Sequence, residues 1–232
     1  MKQYILRLGP VYLILGAVFL LFLTASNRVI TVMGDMNPVE RQQIIVIDAG
    51  HGGEDGGATS CTGVLESQFN LALALRLNDL CHLLGYETKM IRTEDISVYT
   101  QGVTLAAKKA SDLRQRVSIV NQTDNAILIS IHQNTFSDQR YYGAQVFYAK
   151  TDGSRELAHL MQKSFSMLAP ENTRQEKESS GVYLMQHVSK TAVLVECGFL
   201  SNPEEEARLR SGDYQKKLCC AIISALSAYI KA

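Results

Sequence analysis

The feature that most constrains the fold is a series of short apolar runs that alternate with longer stretches of helical spacing. The first run, Ile44–Asp48, is β-branched and leads into the glycine-rich segment AGHGG. A short continuous run of this kind predicts a strand buried on both faces, as in a parallel sheet covered by helices. The next stretch, Glu66–Leu84, has apolar residues at helical spacing and stops at Gly85, which predicts a helix.

The same alternation continues along the chain and indicates an α/β fold. Further strands are predicted over Tyr86–Ile91, Ala126–Ile131, Gln145–Tyr148 and Ala192–Val195, further helices over Ser111–Gln122, Ser154–Leu168 and Tyr214–Ile230, and a mobile polar loop over Pro170–Ser180. We therefore expect one domain over residues 44–232, with a mostly parallel twisted sheet flanked by helices.

The N-terminus has the pattern of an export segment. Lys2 and Arg7 precede the uncharged apolar run Leu8–Leu23, and small residues follow it. The run is slightly shorter than the roughly 20 residues that a membrane span needs. We favour an uncleaved signal-anchor, at residues 1–26, rather than a cleaved signal. Residues 27–43 are predicted to be a linker. Either alternative places the body of the protein outside the cytoplasm, and the first also anchors it in the membrane.

Charge and cysteine content exclude some function classes. Lys+Arg and Asp+Glu each number 23, and no basic cluster stands out, so we expect no nucleic-acid partner. The five cysteines are odd in number and contain no CxxC metal-binding pair. We interpret them as structural or incidental, and the adjacent Cys219 and Cys220 as core packing rather than a redox pair.

Three of the predicted strands lead into residues that can bind metal or transfer protons: His51, His132 and Glu196. Because ligands collect beyond the carboxyl ends of the strands in open α/β sheets, these side chains are expected to converge. Glu66, at the start of the first predicted helix, is expected to lie at the same edge of the sheet. Two histidines and a carboxylate with one open position are a common catalytic zinc site. A further carboxylate would be the general base of a hydrolase.

Other readings of these motifs are weaker. A glycine-rich turn after a strand can bind phosphate, but the spacing is not GxxxxGK[ST] and no such lysine follows. We expect His82 and His159 to lie at the surface. His187, just before the last strand, is a candidate for facing the cleft and contacting substrate.

The segment VIDAGHGG at residues 46–53, followed by Asp55 and Gly57, resembles the opening motif of the zinc N-acetylmuramoyl-L-alanine amidases of the Amidase_3 type. The resemblance extends, in order and without a large gap, from about Ile44 to the C-terminus. It continues at Glu66 with Asn70, at Arg92-Thr93 with Asp95, at Leu113 to Asn121 with Arg116, at SIHQN (130–134), at GAQVFY (143–148) and at VLVECGFLSN (193–202).

The resemblance implies zinc bound by His51, Glu66 and His132, with Glu196 as the catalytic acid/base. The implied reaction is hydrolysis of the amide bond between N-acetylmuramic acid and L-alanine in peptidoglycan. Asn134 is a candidate substrate contact by its position alone.

The sequence departs from the family pattern at two backbone-shaping positions. Ala49 and Thr191 stand where the family usually has proline. Proline fixes the backbone φ angle, so we expect the geometry beside the first zinc ligand and beside the catalytic glutamate to be less rigid.

The plan of signal-anchor, short linker and bare catalytic domain resembles the family members that prepare spore cortex for muramic-δ-lactam formation. A role in cell separation is the alternative within the family. Some members carry a helix that plugs the zinc site, but the segment 170–180 is shorter than such an insertion. We therefore expect no self-inhibition of that form, and a protein activator is a possible partner.

Two other function classes remain as alternatives. A zinc exopeptidase would commonly use two metals and need further carboxylates at strand ends, whereas only a mononuclear set is present. An inactive membrane-anchored module that binds peptidoglycan or recruits a partner would be expected to have lost a ligand or Glu196, and neither is lost.

Overall fold

The computed structural model describes residues 43–231, which contain six strands and six helices. The strands are β1 (Ile44–Ala49), β2 (Glu87–Met90), β3 (Ala126–Asn134), β4 (Gln145–Tyr148), β5 (Lys177–Glu178) and β6 (Thr191–Phe199). The helices are α1 (Glu66–Leu83), α2 (Leu105–Asn121), α3 (Ser154–Leu168), α4 (Tyr183–His187), α5 (Pro203–Arg210) and α6 (Gly212–Ile230).

All six strands belong to one sheet in the order β2-β1-β3-β6-β4-β5. The pairs β2–β1, β1–β3 and β3–β6 are parallel, whereas β4 pairs with β6 in the antiparallel sense. The carboxyl ends of β1, β3 and β6 therefore meet at the same edge. The prediction of a mostly parallel sheet flanked by helices is confirmed.

The central strands are apolar throughout because both faces of the sheet are covered. Along β1, Ile45 and Ile47 pack into the core beneath α1, α3 and α6. The residue between them, Val46, packs into a second cluster on the opposite face, beneath α2 and α4. Successive side chains of a strand point to opposite faces, so burial of both faces requires an unbroken apolar run.

Most predicted elements have the expected bounds, and the differences have physical causes. The helix predicted to begin at Ser111 begins at Leu105, where Thr104 caps it by accepting a hydrogen bond from the Ala107 amide. Its first turns are mostly exposed and show no apolar stripe. The strands β3 and β6 extend three and four residues beyond the predicted ends, because their backbone pairing continues past the apolar residues.

Three short elements were not predicted: β5, α4 and α5. The strand β5 lies within the stretch that was expected to be a loop, and its two residues pair with Phe147 and Tyr148 of β4. The helix α5 begins at a proline after Asn202, whose side chain accepts hydrogen bonds from two amides of the first turn. A helix of eight residues is too short for the apolar periodicity that identifies longer helices.

The predicted signal-anchor (1–26) and nearly all of the predicted linker lie outside the described residues. Within residues 43–231, no helix combines the length and the apolar character needed to cross a membrane. All five cysteines are free. Cys219 is buried but its neighbour Cys220 is exposed, so the interpretation as core packing holds for the first of the two.

Candidate metal centre

The carboxyl edge of the central strands brings together four side chains that the sequence analysis identified. His132 on β3 is directly paired with Glu196 on β6. His51 follows β1 by two residues, and Glu66 is the first residue of α1. The candidate ligand atoms of His51, Glu66 and His132 all lie within 4.8 Å of one another.

The spacing of these atoms fits a shared cation. The Glu66 Oε2 atom lies 3.2 Å from His51 Nε2, and Oε1 lies 2.9 Å from His132 Nδ1. Tetrahedral bonds of about 2.1 Å place pairs of ligand atoms roughly 3.4 Å apart. Two imidazoles and one carboxylate at these separations can hold a divalent metal ion with little rearrangement.

The backbone and an acidic neighbour fix the orientation of His51. Its φ angle is +60°, in the left-handed region that residues other than glycine rarely adopt. The Nδ1 atom lies 3.0 Å from Asp55 Oδ2, so Nε2 is the nitrogen that faces Glu66. Lys109 Nζ lies 3.0 Å from the same Asp55 oxygen. Burial lowers the pKa of His51, but the contacts with Glu66 and Asp55 outweigh it and raise that pKa. A carboxylate behind a ligating imidazole is the usual supporting arrangement in metal sites.

Two arginines hold the backbone that leads from β1 to His51. Arg92 donates to the carbonyls of Ala49 (2.8 Å) and Gly50 (3.0 Å). Arg116 donates to the carbonyls of Ala49 (3.0 Å) and His51 (2.7 Å). The Ala49 carbonyl thus accepts two guanidinium hydrogen bonds, at the position where a missing proline was expected to reduce rigidity.

Glu66 is buried and accepts hydrogen bonds from protein donors on several sides. Its oxygens accept from the amides of Ala58 (3.0 Å) and Gln133 (3.2 Å) and from Asn70 Nδ2 (3.2 Å). Burial raises the pKa of Glu66, but the two neighbouring histidines outweigh it and hold that pKa well below its ordinary value. The carboxylate is therefore ionised, as a metal ligand must be.

Glu196 has the opposite environment. Its Oε2 atom is buried and has no hydrogen-bond partner among the described residues. Burial raises the pKa of Glu196 to about 7; the charge of Glu66 adds to that rise, while the two histidines oppose it. A carboxyl group with a pKa near neutrality can both accept and return a proton at physiological pH.

The two candidate substrate contacts occupy different places. Asn134 lies on β3 two residues beyond His132 and is half-buried. His187 is exposed at the end of α4, where its ring stacks on Tyr183 and its Nδ1 atom contacts the Tyr183 carbonyl at 2.8 Å. It precedes the amino end of β6, whereas Glu196 lies near the carboxyl end, roughly 17 Å further along the strand. The structure does not bring His187 to the metal centre.

The second departure from the family pattern, Thr191, is the first residue of β6. Its hydroxyl donates to the Asp152 carbonyl at 2.9 Å, and Ala192 donates its amide to Ser154 Oγ at 2.8 Å. Side-chain hydrogen bonds therefore fix the start of this strand.

Sequence reasoning gave no role to several residues that support the ligands, although most stand within the matching motifs. Asp55 and Asn70 each follow a ligand by four residues, and that spacing is the signal that could have identified them. Arg92 and Arg116 contact the β1 segment across 42 and 67 positions. No local pattern reveals contacts of that range.

Comparison with known proteins identifies the family. The family model described as N-acetylmuramoyl-L-alanine amidase, Amidase_3, matches residues 45–228. The germination-specific N-acetylmuramoyl-L-alanine amidase of Bacillus subtilis is 37% identical over 189 residues, which are 81% of this chain and 79% of that protein.

Solved structures agree with the family match. The CwlD amidase from Clostridioides difficile, in complex with the GerS lipoprotein, is 34% identical with a TM-score of 0.78, over 82% of this chain and 99% of that chain. The catalytic domain of the amidase CwlV from Bacillus (Paenibacillus) polymyxa is 28% identical with a TM-score of 0.68, over 82% and 99% of the two chains. This chain therefore belongs to the Amidase_3 family of N-acetylmuramoyl-L-alanine amidases.

Proposed function

We propose that this amidase is zinc-dependent, with His51, Glu66 and His132 as the metal ligands and Glu196 as the catalytic acid/base. The observation that carries the proposal is the contrast between the two carboxylates at one edge of the sheet. Glu66 is ionised and contacts both histidines. Glu196 presents a buried oxygen without a partner and has a pKa of about 7. The first fits a ligand and the second fits a proton carrier.

The donor set favours zinc. Two imidazole nitrogens and one carboxylate, with a position left open for substrate, are a common ligand set of catalytic zinc in hydrolases. Magnesium and calcium prefer oxygen ligands alone. Zinc, when bound, supplies a Lewis acid that polarises the scissile carbonyl and stabilises negative charge on its oxygen.

The protein's own groups supply the proton transfers. Glu196 accepts a proton from the attacking water, because its raised pKa lets the protonated form persist at neutral pH. It then donates this proton to the departing alanine nitrogen, since an amine leaves readily only when it is protonated. Asp55 keeps the Nδ1 side of His51 occupied, so that Nε2 remains directed into the site.

The family assignment decides between the function classes that the sequence left open. Members of this family are amidases of peptidoglycan, so the exopeptidase and the binding-only module are no longer needed as explanations. The chain is an enzyme that acts on the bond between N-acetylmuramic acid and L-alanine.

The relatives support a role in spores. One is named a germination-specific amidase, and another was solved as a complex with a lipoprotein. We propose that this chain acts in spore cortex maturation, in the step that precedes muramic-δ-lactam formation. By the same likeness, an extracytoplasmic lipoprotein is the candidate activator. The apolar run Leu8–Leu23 supports a location outside the cytoplasm, with the chain anchored in the membrane by residues 1–26.

The test uses the purified full chain with zinc and isolated peptidoglycan, and it follows the appearance of free alanine amino termini. Glu196→Gln should lower the rate by about 10²–10⁴-fold while the bound zinc is retained. Glu66→Gln should lose both zinc and activity. Glu87→Gln, at an exposed glutamate on β2, is the matched control.

The outcomes separate the assigned roles. Activity of Glu196→Gln equal to that of Glu87→Gln would exclude Glu196 as the proton carrier. Stoichiometric zinc in Glu66→Gln would exclude Glu66 as a ligand. An inactive, zinc-loaded wild-type chain that becomes active when a lipoprotein is added would establish the requirement for an activator.

A further inference from the structure

A cationic aromatic cluster lies at the carboxyl end of β6, where Phe199 is the last residue, and has no part in the chemistry described above. The Arg174 guanidinium carbon lies 4.6 Å from the centre of the Phe199 ring and 5.8 Å from that of Tyr141. The ring of Phe136 extends the cluster, 4.5 Å from Tyr141. Phe136 and Tyr141 remain 50% and 44% exposed, so the cluster forms an accessible surface.

One side chain connects this cluster to the proton carrier. Gln145 on β4 is paired directly with Glu196 on β6, and residues directly opposite each other in an antiparallel pair point to the same face. Arg174 donates from Nη1 to Gln145 Oε1 at 3.3 Å and from Nε to the Tyr142 carbonyl at 2.8 Å. The guanidinium group is therefore held against the side chain of the residue opposite Glu196, with its other terminal nitrogen available.

The charge of Arg174 is unpaired. It faces an open groove of about 530 Å³ that also contains Asp138, Arg140 and Glu171. Asp138 pairs with Arg140 at 2.7 Å, and Glu171 lies 3.9 Å from Arg208. Within the described chain, no carboxylate lies within ion-pair distance of Arg174. A preoriented guanidinium with a free donor edge and no ion-pair partner is suited to binding a carboxylate.

The stem peptide of peptidoglycan carries a carboxylate at a suitable place. Its second residue is D-glutamate linked through the side-chain carboxyl, so its α-carboxyl group is free, or amidated in some cell walls. An extended chain spans at most about 3.6 Å per residue, so this group lies roughly 7 Å from the bond that is cut. A carboxylate at this distance from the cut bond fits a binding group that contacts the side chain of the residue opposite Glu196.

We propose that Arg174 binds the free α-carboxylate of the second stem-peptide residue and makes the enzyme selective for acidic over amidated stems. The inference rests on the proposed amidase function. In this proposal Arg174 determines specificity. If its only function were the hydrogen bonds to Tyr142 and Gln145, it would be a structural link between the 169–176 segment and β4.

The experiment compares two muramyl tripeptides that differ only at the second residue, D-isoglutamate in one and D-isoglutamine in the other. The full chain with zinc should cleave the acidic substrate with a kcat/KM about tenfold higher, mainly through KM, since a hydrogen bond to a charged group contributes about that factor. Arg174→Gln should abolish the preference by losing activity on the acidic substrate alone. Arg174→Lys should retain part of it.

Arg140→Gln is the matched control, because Arg140 lies in the same groove but is already paired with Asp138. It should keep the preference of the wild type. An equal loss on both substrates in Arg174→Gln would mean that Arg174 only holds the loop, and the inference would be wrong. A wild type that cleaves both substrates equally well would overturn the inference but leave the amidase function intact. A wild type that cleaves neither substrate even with a lipoprotein activator added, and that is indistinguishable from Glu196→Gln, would overturn both.

Discussion

At the scale of single residues, the site separates two identical functional groups by their surroundings. Glu66 and Glu196 lie at the same sheet edge, yet the pKa of the first is held low by two adjacent histidines and that of the second is raised by burial. Environments that move two carboxyl groups in opposite directions assign them different roles in catalysis. The difference also has consequences that can be measured without substrate.

The first prediction concerns the pH dependence of stability in the metal-free protein. The Glu196 carboxyl ionises near its ordinary pKa of 4.5 in the unfolded chain but only near 7 in the folded one. The unfolded state therefore binds fewer protons in this range, so Glu196 lowers stability as pH rises from about 4.5 to 7 and has its full effect above 7.

Glu196→Gln removes this penalty. We expect its Tm to exceed that of the wild type by about 5 °C at pH 8 and to equal it at pH 4. The expected difference is smaller than the full pKa change would give, because Glu196 keeps some contact with solvent. Thermal unfolding of the chelator-treated proteins at both pH values provides the measurement. A difference that is the same at both pH values would show that the carboxyl does not titrate as described.

The second prediction concerns Gly50, whose missing side chain leaves room for a ligand. A Cβ atom added there would overlap the imidazole of His132, including its Nε2 atom. Gly50→Ala should displace that ring and lower zinc affinity by about 10–100-fold, as loss of ligand support does in other metal sites. Competition with a chromophoric chelator measures the affinity. Gly181→Ala, where a Cβ would meet no atom within 4 Å, should bind zinc as the wild type does.

The sequence identified the ligand candidates because each follows a recognisable local pattern, an apolar strand or a helix start. It did not identify their supports. Asp48, for example, is a buried residue of β1 whose partners, Arg116 and Ser130, are 68 and 82 positions away. Contacts at that separation depend on how the strands and helices assemble, which residue patterns alone do not specify.

At the scale of elements, the segment between β1 and α1 carries His51 and is held from two sides. Arg92 follows β2, and Arg116 belongs to α2. Both donate to backbone carbonyls of this segment, Arg92 to that of Gly50 and Arg116 to that of His51. The position of a ligand thus depends on the docking of two elements that contribute no ligand themselves.

The third prediction concerns the ion pair between Arg116 and Asp48, which is almost fully buried. Burial raises the pKa of Asp48, but Arg116, Ser130 and His132 together outweigh it and hold that pKa below its ordinary value. Arg116→Met leaves that charge without its partner, so we expect the free energy of unfolding to fall by about 3–5 kcal/mol. Urea unfolding measures the change.

Two variants control for this effect. Asp48→Asn combined with Arg116→Met should recover part of the lost stability, because the uncompensated charge is removed. Lys216→Met breaks an exposed pair with Asp213 and should leave the unfolding midpoint unchanged. A small effect of Arg116→Met by itself would show that the buried pair is not important for stability.

The order and type of the longer elements could be predicted because burial on both faces gives β1, β3 and β6 a strong apolar signal. Element ends were less predictable. The last residues of β3 include the polar His132, a candidate metal ligand, and Asn134, and backbone pairing with β6 continues through both. A prediction based on hydrophobicity therefore ends these strands too early, because the residues at the edge of the sheet that carry function are polar.

At the scale of the whole molecule, the proposed metal centre joins parts of the chain that are far apart in sequence. His51 follows β1, Glu66 begins α1 and His132 lies on β3. The three ligands therefore converge only in the folded state, whereas an unfolded chain offers them separately. Zinc binding should stabilise the fold by an amount that depends on its free concentration.

The fourth prediction follows from this linkage. At a free zinc concentration of about 1,000 times Kd, the stabilisation is about 4 kcal/mol, which corresponds to a rise in Tm of roughly 8–16 °C for a domain of this size. Thermal unfolding of the full chain across a zinc titration measures it. Glu196→Gln should show the same rise, because Glu196 is assigned to proton transfer and not to the metal.

Glu66→Gln should show almost none of this rise, while Glu87→Gln should match the wild type. A full zinc-dependent rise in Glu66→Gln would place the bound ion at another site. A wild type insensitive to zinc would mean that the three side chains do not form a metal centre as assigned. If one ion both supports catalysis and links the ends of β1, α1 and β3, stability and activity should fall together on chelation. His51, Glu66 and His132 are close enough to hold such an ion.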